Sequence, residues 1–393
     1  MKRLVVMPSE AISEYEQAGY SSWLQNYYNP LGMFDEVLVF SPLEQEPRQA
    51  YGLKIRPVSW TRFARTLKEL HPDIVRAYGG GWAADLVCSS RVAGIPVVVS
   101  LHDSLDESIS PLVAFADRIL HVSGIVRQQA IRNGVPKGRL AYLPNRVDHS
   151  VFRPLDDRMP PSGPTFPNGH HILHVGRQCH QKNPDTLIRA LAHLPPEYHV
   201  VFVGRGDTTQ YRLLAAREGV EARCCWIPAV PNHELVNWYN WCSCMCTPSR
   251  HEGFGIVFIE SAACGAPIIT SDIAPMNEYL AHGVNAHLVP DYESPPALAS
   301  AIRQVCEQEA YGQALGQAAM EMSAQFDRNR VEQQEEAIYR EALKQPARIL
   351  DADELSLAQR LGRNALGRFF YRRLRARTGA IIRKCMGMDA ATA

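Results

Sequence analysis

Short apolar runs rich in β-branched residues recur along the chain and alternate with segments of helical periodicity. In the first part of the chain these runs lie at 4–7, 36–40, 73–77, 96–101, 118–122 and 139–143. They are continuously apolar, which is typical of parallel strands covered on both faces by helices. Helix candidates at 61–70 and 124–132 separate them, and Ser123 is a candidate N-cap of the second helix.

A second series of the same kind follows a proline-rich segment at 152–167. Its strand candidates lie at 172–175, 199–203, 223–227, 242–247, 267–270 and 286–289, and its helix candidates at 185–194, 232–238 and 256–264. A proline-rich segment is typical of a linker. We therefore predict an α/β protein with two doubly wound, Rossmann-like parallel-sheet domains, 1–165 and 166–345. Ligands of such sheets bind at the carboxyl ends of the strands, so the cleft between the domains is the natural site.

The last segment, 346–393, differs from the rest of the chain in charge. Between 355 and 388 it contains arginines and a lysine but no acidic residue, and apolar residues at 357, 361, 365 and 369 fall four apart. This spacing predicts a basic amphipathic helical extension. Three interpretations stay open: a solvated helix, a helix that binds another protein, and an interfacial helix on anionic lipid through 355–384.

Composition narrows the classes of function. The chain has 393 residues, of which 46% are hydrophobic, and its 41 basic residues balance 41 acidic ones. This balance leaves no overall basic field, so we expect no nucleic-acid partner. The ten cysteines contain no CxxC pair, which is typical of a reducing compartment. The apolar run before Pro8 is too short for a signal peptide, and a cytoplasmic protein is expected.

The strongest local signal is 248–260, with the sequence PSRHEGFGIVFIE, which follows a strand candidate and opens a helix candidate. Gly253 and Gly255 allow the backbone to come close to a ligand. The free N–H groups of Gly255, Ile256 and Val257 would lie at the helix N-terminus, where phosphate binds well. Taken alone, the segment is equally compatible with an ordinary strand–loop–helix unit.

Charged side chains accompany this loop. Glu252 lies within it and Glu260 lies about two turns into the helix, and such carboxylates can accept hydrogen bonds from ligand hydroxyls. A second loop, 175–185, also joins a strand to a helix and contains Arg177 and Lys182, which together can neutralise a diphosphate. A ligand that carries both hydroxyls and phosphate, such as a nucleotide sugar, would satisfy both loops.

These residues resemble those of the retaining nucleotide-sugar glycosyltransferases of family 4 (glycosyl transferases group 1), whose two-domain fold is called GT-B. The two glutamates with Gly-Phe-Gly between them, and Gly176-Arg177 followed by Lys182-Asn183, match the family in order and spacing. The resemblance extends from about residue 1 to 343 and is sharpest from 172 to 290.

The resemblance implies a role for each matched residue. The implied donor-binding residues are Arg177, Lys182, Phe254, Gly255, Ile256, Val257 and Glu260. Among them Arg177 and Lys182 would bind the diphosphate and Glu260 the ribose hydroxyls. The implied catalytic residues are Glu252, at the donor sugar, and His102, which would face the sugar near the reacting carbon.

The implied reaction moves a sugar from a nucleoside-diphosphate donor to an acceptor hydroxyl with retention at the anomeric carbon. Cationic side chains and the helix N-terminus would stabilise the leaving diphosphate, so no metal or other cofactor is expected. The acceptor would be a glycan, a lipid-linked molecule or a small molecule in cell-surface glycan or glycolipid biosynthesis. Because many enzymes of the family extend lipid-linked glycans, peripheral attachment at the inner face of the membrane is the favoured role of 355–384.

Two other functions stay open. One is a non-catalytic nucleotide-binding scaffold of the same fold, and the other is a sugar-nucleotide epimerase or phosphorylase. Three departures from the family pattern bear on ligand handling: a single glycine in 14–20, Arg146 in place of a glycine, and Pro228 in place of another glycine near the base pocket.

Overall fold

Two β-sheets with helices packed against them form the framework of the molecule. A computed structural model of the chain describes residues 1–105, 108–156, 161, 166–345, 347–351, 353–354 and 356–367. Each sheet is built from apolar runs of the kind described above, because a strand covered on both faces has to be apolar on both faces. The α/β class and the two parallel-sheet domains predicted from the sequence are confirmed.

The first sheet is almost entirely parallel. Its strands are β1 (Arg3–Met7), β2 (Glu36–Ser41), β3 (Arg48–Ala50), β4 (Leu53–Pro57), β5 (Ile74–Tyr78), β6 (Val97–Leu101), β7 (Arg118–His121) and β8 (Leu140–Tyr142). Their order is β3-β4-β2-β1-β5-β6-β7-β8, and β3 alone pairs in the antiparallel sense among the described strands. The chain order therefore reverses between β1 and β5, which is where an open α/β sheet binds its ligands.

The helices of this part are α1 (Ile12–Gln17), α2 (Ser21–Leu24), α3 (Phe63–Leu70), α4 (Trp82–Ser89) and α5 (Gly124–Arg132). Short 3₁₀ segments lie at Pro30–Gly32, Trp60–Arg62, Pro111–Phe115 and Lys137–Arg139. Helix α5 coincides with the predicted helix. Ser123 caps it as predicted, since its hydroxyl accepts the N–H of Val126 at 3.4 Å.

The edge strand β3 and its neighbour β4 were not among the predicted strands. In β4 the buried Leu53 and Ile55 alternate with the exposed Lys54 and Arg56. Such an alternating strand has one wet face, so it lacks the continuous apolar run by which the central strands were recognised.

The second sheet is parallel throughout its described strands. These are β9 (His170–Val175), β10 (Tyr198–Val203), β11 (Cys224–Ile227), β12 (Cys244–Thr247), β13 (Ile268–Ser271) and β14 (His287–Val289), in the order β11-β10-β9-β12-β13-β14. The order reverses between β9 and β12. The two loops singled out in the sequence, 175–185 and 248–260, follow these two strands, so the fold places both at one ligand-binding point.

The helices of this part are α6 (Pro184–Leu191), α7 (Thr209–Arg217), α8 (Leu235–Trp241), α9 (Ile256–Ala263), α10 (Pro295–Glu307), α11 (Glu309–Ser323) and α12 (Arg328–Lys344). Short 3₁₀ segments lie at His180–Lys182, Glu221–Arg223, Asn232–Glu234, Met276–Glu278 and Ala324–Phe326.

Helix α12 packs on the first sheet. Its Val331 and Tyr339 are fully buried in the cluster that contains Leu4 and Val6 of β1. The backbone at Asp327 also bridges to Val147 at the end of the first domain. The domain limits given above stay predictions, and the structure adds that the chain returns to the first domain after Phe326.

The beginning of the basic extension also contacts the first domain. Residues 356–367 are helical, and their Ala358 and Ala365 are buried. Gly362 lies so close to Ser89 of α4 that a Cβ added to it would come within 2.4 Å of the Ser89 Cβ. Residues 368–393 of the predicted basic amphipathic extension lie outside the described residues. In the described part of the chain, no helix has the length and apolar character needed to cross a bilayer.

Candidate active site

A cleft with a volume of about 430 Å³ lies between the two sheets. The first domain contributes aromatic side chains to it, including Tyr20, Trp23 and Tyr27. The second domain contributes Arg177 and Arg205 from the loops after β9 and β10, together with the start of α9. The predicted position of the ligand site between the domains therefore corresponds to a real cleft.

Two glycines form the floor of the cleft where β9 and β10 end. Gly204 has a φ of +147°, and a Cβ on it would lie 1.9 Å from the carbonyl oxygen of Gly176. No side chain fits between these backbones. The floor is therefore bare peptide, which lets a ligand approach the main chain closely.

The two predicted diphosphate ligands have different surroundings. Arg177 is exposed in the cleft, and its Nη2 donates a hydrogen bond to Gln181 at 2.9 Å. Lys182 lies behind it and forms an ion pair with Glu252. The hydroxyl of Ser249 donates a second hydrogen bond to the same carboxylate oxygen, at 2.8 Å. The structure thus joins Lys182 and Glu252, which the sequence had assigned to separate parts of the donor.

Arg250 of the loop 248–260 forms hydrogen bonds that join this loop to the loop 175–185. Its guanidinium binds Asp185 of α6 through two hydrogen bonds of 3.0 and 2.9 Å, and Glu293 at 2.7 Å. Gln181 also donates to the carbonyl of His251 at 3.1 Å. The sequence did not assign these positioning roles, because each depends on which loops meet at the end of the sheet.

The N-terminus of α9 points its first peptide groups at the cleft. Gly255 precedes the helix with a φ of +85°, and Ile256 and Val257 line the cleft wall. Phe254 is buried instead, stacked on Tyr279 with 5.2 Å between ring centroids. The Tyr279 hydroxyl donates to the Phe254 carbonyl at 2.7 Å. The side chain of Phe254 therefore fixes the loop, while the residues after Gly255 face the cleft.

Glu260 lies one turn after Ile256 on the same face of α9, and it borders the cleft. Asn232 donates a hydrogen bond to one of its oxygens at 2.9 Å, and Tyr239 donates to the other at 3.1 Å. Burial raises the pKa of the Glu260 carboxyl to about 7, although these hydrogen bonds act in the opposite direction. The carboxyl is positioned to bind hydroxyls and is close to its protonation equilibrium at neutral pH.

His102 follows β6 on the first-domain side and lines a narrow recess that opens off the cleft. Its ring stacks on Tyr78 with centroids 6.3 Å apart. Burial, together with the nearby charge of Arg76, lowers the pKa of His102 to about 4, so the imidazole is neutral at pH 7. A Cβ on Gly253 would lie 1.8 Å from the His102 carbonyl oxygen. The structure therefore brings the loop of Glu252 directly onto His102.

Further residues, which the sequence did not predict as site residues, border this recess. Arg76 and Arg146 both bind Glu335 of α12, the latter at 2.7 Å. Although burial acts to raise it, the two guanidinium charges hold the pKa of Glu335 below its ordinary value. Arg146 is the residue that replaces a family glycine, and its side chain carries an interaction that glycine could not make.

The two domains are also joined by hydrogen bonds between side chains and backbone close to the site. Glu278 accepts the N–H groups of Gly124 and Ile125 at the start of α5, at 2.6 and 3.0 Å. The Ser123 hydroxyl donates to the carbonyl of Gly253 at 2.7 Å. These contacts close the cleft on the side of His102.

Family models describe most of this chain. The model of glycosyl transferases group 1 matches residues 157–322, and that of glycosyltransferase family 4 matches residues 28–151. The first match contains the two ligand loops, and the second contains His102. Both domains of the fold are therefore covered.

Curated relatives and solved structures agree with these matches. D-inositol 3-phosphate glycosyltransferase 1 of Catenulispora acidiphila is 28% identical over 69% of this chain and 73% of its own length. D-inositol 3-phosphate glycosyltransferase of Streptosporangium roseum is 30% identical over 55% of this chain and 53% of its own length. The chain thus spans about half of the second relative.

Two solved structures share the fold at low identity. HepE of Anabaena in complex with UDP superposes with a TM-score of 0.69 at 19% identity, over 87% of this chain and all of that one. Sucrose-phosphate synthase of Thermosynechococcus elongatus gives 0.69 at 18% identity over the same share of this chain and 100% of its own. With both domains matched by family models and the whole architecture shared with these structures, the chain belongs to the GT-B glycosyltransferases of family 4.

Proposed function

We propose that this chain transfers a sugar from a nucleoside diphosphate to an acceptor hydroxyl with retention at the anomeric carbon. The observation that carries the proposal is the convergence of anion-binding groups on one wall of the cleft. Arg177, Arg205 and the N-terminus of α9 face the same space, and Glu260 lies one turn further into the helix. This wall offers cations and N–H donors to a diphosphate and a carboxyl to ribose hydroxyls.

The chemistry follows from where charge develops. As the bond between the anomeric carbon and phosphate breaks, negative charge grows on the diphosphate and positive character on the sugar. Arg177 and the α9 N-terminus stabilise the negative charge on the diphosphate. The neutral imidazole of His102 can share a hydrogen bond with a sugar hydroxyl without adding positive charge beside the cationic sugar.

The state of the two carboxylates near His102 supports retention by a front-face route. Glu335 is held by two arginines, and Glu252 by Lys182 and Ser249. Carboxylates held in this way are poor covalent nucleophiles. We therefore propose that the acceptor attacks from the side that the diphosphate leaves, and that the cations replace a metal as counter-charge.

A calorimetric titration with UDP, GDP, ADP and CMP tests the donor site. UDP is the first choice, because HepE of the same fold was solved with UDP and with UDP-glucose. We expect one nucleoside diphosphate to bind selectively and more weakly to Lys182→Ala. Lys54→Ala, which removes an ion pair with Glu36 outside the cleft, is the matched control. Binding of none of the four would contradict the proposed donor site.

Product analysis separates the enzymatic alternatives. An epimerase converts the donor without an acceptor, and a phosphorylase requires free phosphate. A retaining transferase gives a glycoside with the anomeric configuration of the donor, which proton NMR of the fresh product reads directly. Turnover that persists in excess EDTA supports the metal-independent route, and turnover abolished by EDTA and restored by Mg²⁺ contradicts it.

We also propose that the enzyme works on glycans or glycolipids at the inner face of the membrane, with 355–384 on anionic lipid. The cluster of arginines in this segment supports the proposal. Co-sedimentation of the full chain with phosphatidylglycerol vesicles should exceed that with phosphatidylcholine vesicles. A chain ending at 367 should lose this preference, and an unchanged preference would contradict the assignment to the basic segment.

A further inference from the structure

The cations on the first-domain side of the cleft already have carboxylate partners. Arg76 and Arg146 share Glu335, and Arg146 also lies 3.8 Å from Glu332. Arg76 donates its remaining N–H groups to the hydroxyl of Ser100, at 3.1 and 2.7 Å. Their forks are therefore occupied, and their charge is neutralised inside the protein.

A further arginine on the first-domain wall also has a carboxylate partner, whereas two arginines on the second-domain wall have none among the described residues. Arg328 pairs with Asp148 at 3.1 Å. On the second-domain wall, Arg177 and Arg205 have no carboxylate partner within the residues that the structure describes. The cleft thus offers available positive charge on the donor side and balanced charge on the acceptor side.

The recess beside His102 contains one neutral polar group, the Tyr78 hydroxyl, that lacks a partner in the described structure. The hydroxyl of Tyr78 is buried without a hydrogen-bond partner in the described structure, although Tyr78 is only 7% exposed and lines the recess. Buried hydroxyls are normally paired, so an unpaired one that lines a cavity indicates a ligand group. His102 and Asn145 border the same recess.

Aromatic rings form the entrance to this recess. Trp23 and Tyr27 stack with centroids 3.5 Å apart, and Tyr27 lies 6.1 Å from Tyr78. Both Trp23 and Tyr27 also line the main cleft, so the recess opens into the cleft beside these two rings. An apolar aromatic wall with a few fixed polar groups orients a ligand that has one apolar face and several hydroxyls.

We propose that the cleft at the mouth of this recess receives an uncharged polyhydroxylated ring of the acceptor, a neutral sugar or cyclitol, and that one ring hydroxyl enters the recess to reach Tyr78. Glu335 excludes phosphorylated rings by occupying both arginines. The inference rests on the proposed transfer of a sugar from a nucleotide donor. It gives the acceptor a chemistry different from that in the name of the D-inositol 3-phosphate glycosyltransferases, to which the chain is similar.

Matched acceptor pairs test the proposal with the purified full chain and the donor identified by titration. The pairs are inositol with D-inositol 3-phosphate, and methyl glucoside with glucose 6-phosphate. We expect the neutral member of a pair to be used with kcat/KM about tenfold or more above its phosphate, because a phosphate would face the Glu335 carboxylate. A preference for the phosphorylated member, or use of neither while the donor is hydrolysed, overturns the proposal.

Tyr78→Phe tests the recess itself. The change removes a hydroxyl without a protein partner, so the folded state should be as stable as before. The KM for the neutral acceptor should rise about fivefold, since one hydrogen bond is lost, while nucleotide affinity and slow donor hydrolysis stay unchanged. Tyr198→Phe is the control, because Tyr198 lies at the start of β10, away from the cleft, and its hydroxyl hydrogen-bonds Glu307. An unchanged acceptor KM in Tyr78→Phe contradicts the assignment.

Glu335→Gln tests the exclusion of phosphate. We expect the ratio of kcat/KM for neutral and phosphorylated acceptors to fall in this variant, because the arginines become available to an anion. If this variant does not fold, Tyr78→Phe and the acceptor pairs still decide the proposal. Failure of the proposed function would look different, since the wild-type protein would then bind no nucleotide and hydrolyse no donor.

Discussion

At the scale of single residues, the ion pair between Lys182 and Glu252 changes how the site works. Both side chains are largely buried and hold each other in place, with Ser249 as a further donor. We propose that the diphosphate shares Lys182 with Glu252, whose second carboxylate oxygen then accepts a hydrogen bond from the donor sugar. Binding of the two parts of the donor is coupled through this ion pair.

Lys182→Ala and Glu252→Ala should each lower kcat by roughly 10²–10³-fold, the size of effect seen when one charge-stabilising group is removed from an active site. Initial rates with the identified donor measure this loss. Far-ultraviolet circular dichroism should show an unchanged fold, and Lys54→Ala should keep wild-type rates. Wild-type turnover in both site variants would defeat the assigned roles.

Glu260 should make nucleotide binding depend on pH. Its pKa is raised to about 7, and the ionised form accepts hydrogen bonds from ribose hydroxyls more strongly than the protonated form does. Affinity should therefore increase by up to roughly tenfold between about pH 6 and pH 8, as the ionised fraction of the carboxyl increases. Calorimetry at several pH values measures the effect, and Glu260→Gln should remove the part due to this group. An identical pH profile in that variant would show that Glu260 does not cause it.

The same group affects stability in the opposite sense. Because the pKa of Glu260 is higher in the folded chain than in the unfolded one, the folded state binds more protons between the ordinary value of 4.5 and about 7. Its contribution to the free energy of unfolding therefore decreases as the pH rises through this window. Glu260→Gln should show a smaller decrease in melting temperature over the same range.

At the scale of elements, the path of the loop between β12 and α9 depends on two glycines. Gly253 lets it rest on the main chain of His102, and Gly255 turns it into the helix. Buried Phe254 anchors the loop between these two glycines. The first N–H groups of α9 consequently reach the cleft in a fixed direction, which is what an anion-binding helix N-terminus requires.

Gly253→Ala should impair the closed site without removing the nucleotide wall. Its Cβ would lie 1.8 Å from the His102 carbonyl oxygen, so the two domains have to separate locally. We expect kcat/KM to fall by about tenfold or more, since misplacement of reacting groups by an ångström is costly, while nucleotide affinity changes little. Gly138→Ala, where a Cβ would meet nothing within 4 Å, is the control. Full activity in Gly253→Ala would mean that the contact is not needed for turnover.

At the scale of the whole molecule, the chain after the second sheet returns to the first. Helix α12 brings Glu335 to Arg76 and Arg146, and Tyr339 to the same buried network. Residues 356–367 then pack near α4. The first-domain wall of the cleft is thus completed by α12, which follows the second sheet, and its charge balance depends on that return.

Glu335→Ala should lower the free energy of unfolding by about 3–5 kcal/mol, because two buried guanidiniums lose their shared counter-ion. Glu341 on the same helix pairs with Arg118 but is 60% exposed. Glu341→Ala should therefore cost less than about 1 kcal/mol. Urea unfolding of both variants measures the difference, and equal stabilities would show that the buried network contributes little.

The sequence by itself determined most of the strands, several of the helices and the two loops, 175–185 and 248–260, that border the cleft. Apolar runs mark covered parallel strands, and glycines and charged side chains between a strand candidate and a helix candidate mark the two loops. Such patterns are local, and they repeat within a few residues. The hairpin of β3 and β4 was not predicted, because polar residues on its solvent-facing side interrupt the apolar run.

Only the tertiary structure decided which side chains meet. Lys182 and Glu252 are 70 positions apart, and Arg76 and Glu335 are 259 positions apart. Local periodicity contains no information about partners at such distances. Whether an arginine in the cleft is available to a ligand or already neutralised depends on where distant segments pack, because an ion pair is a property of distance in space and not of position along the chain.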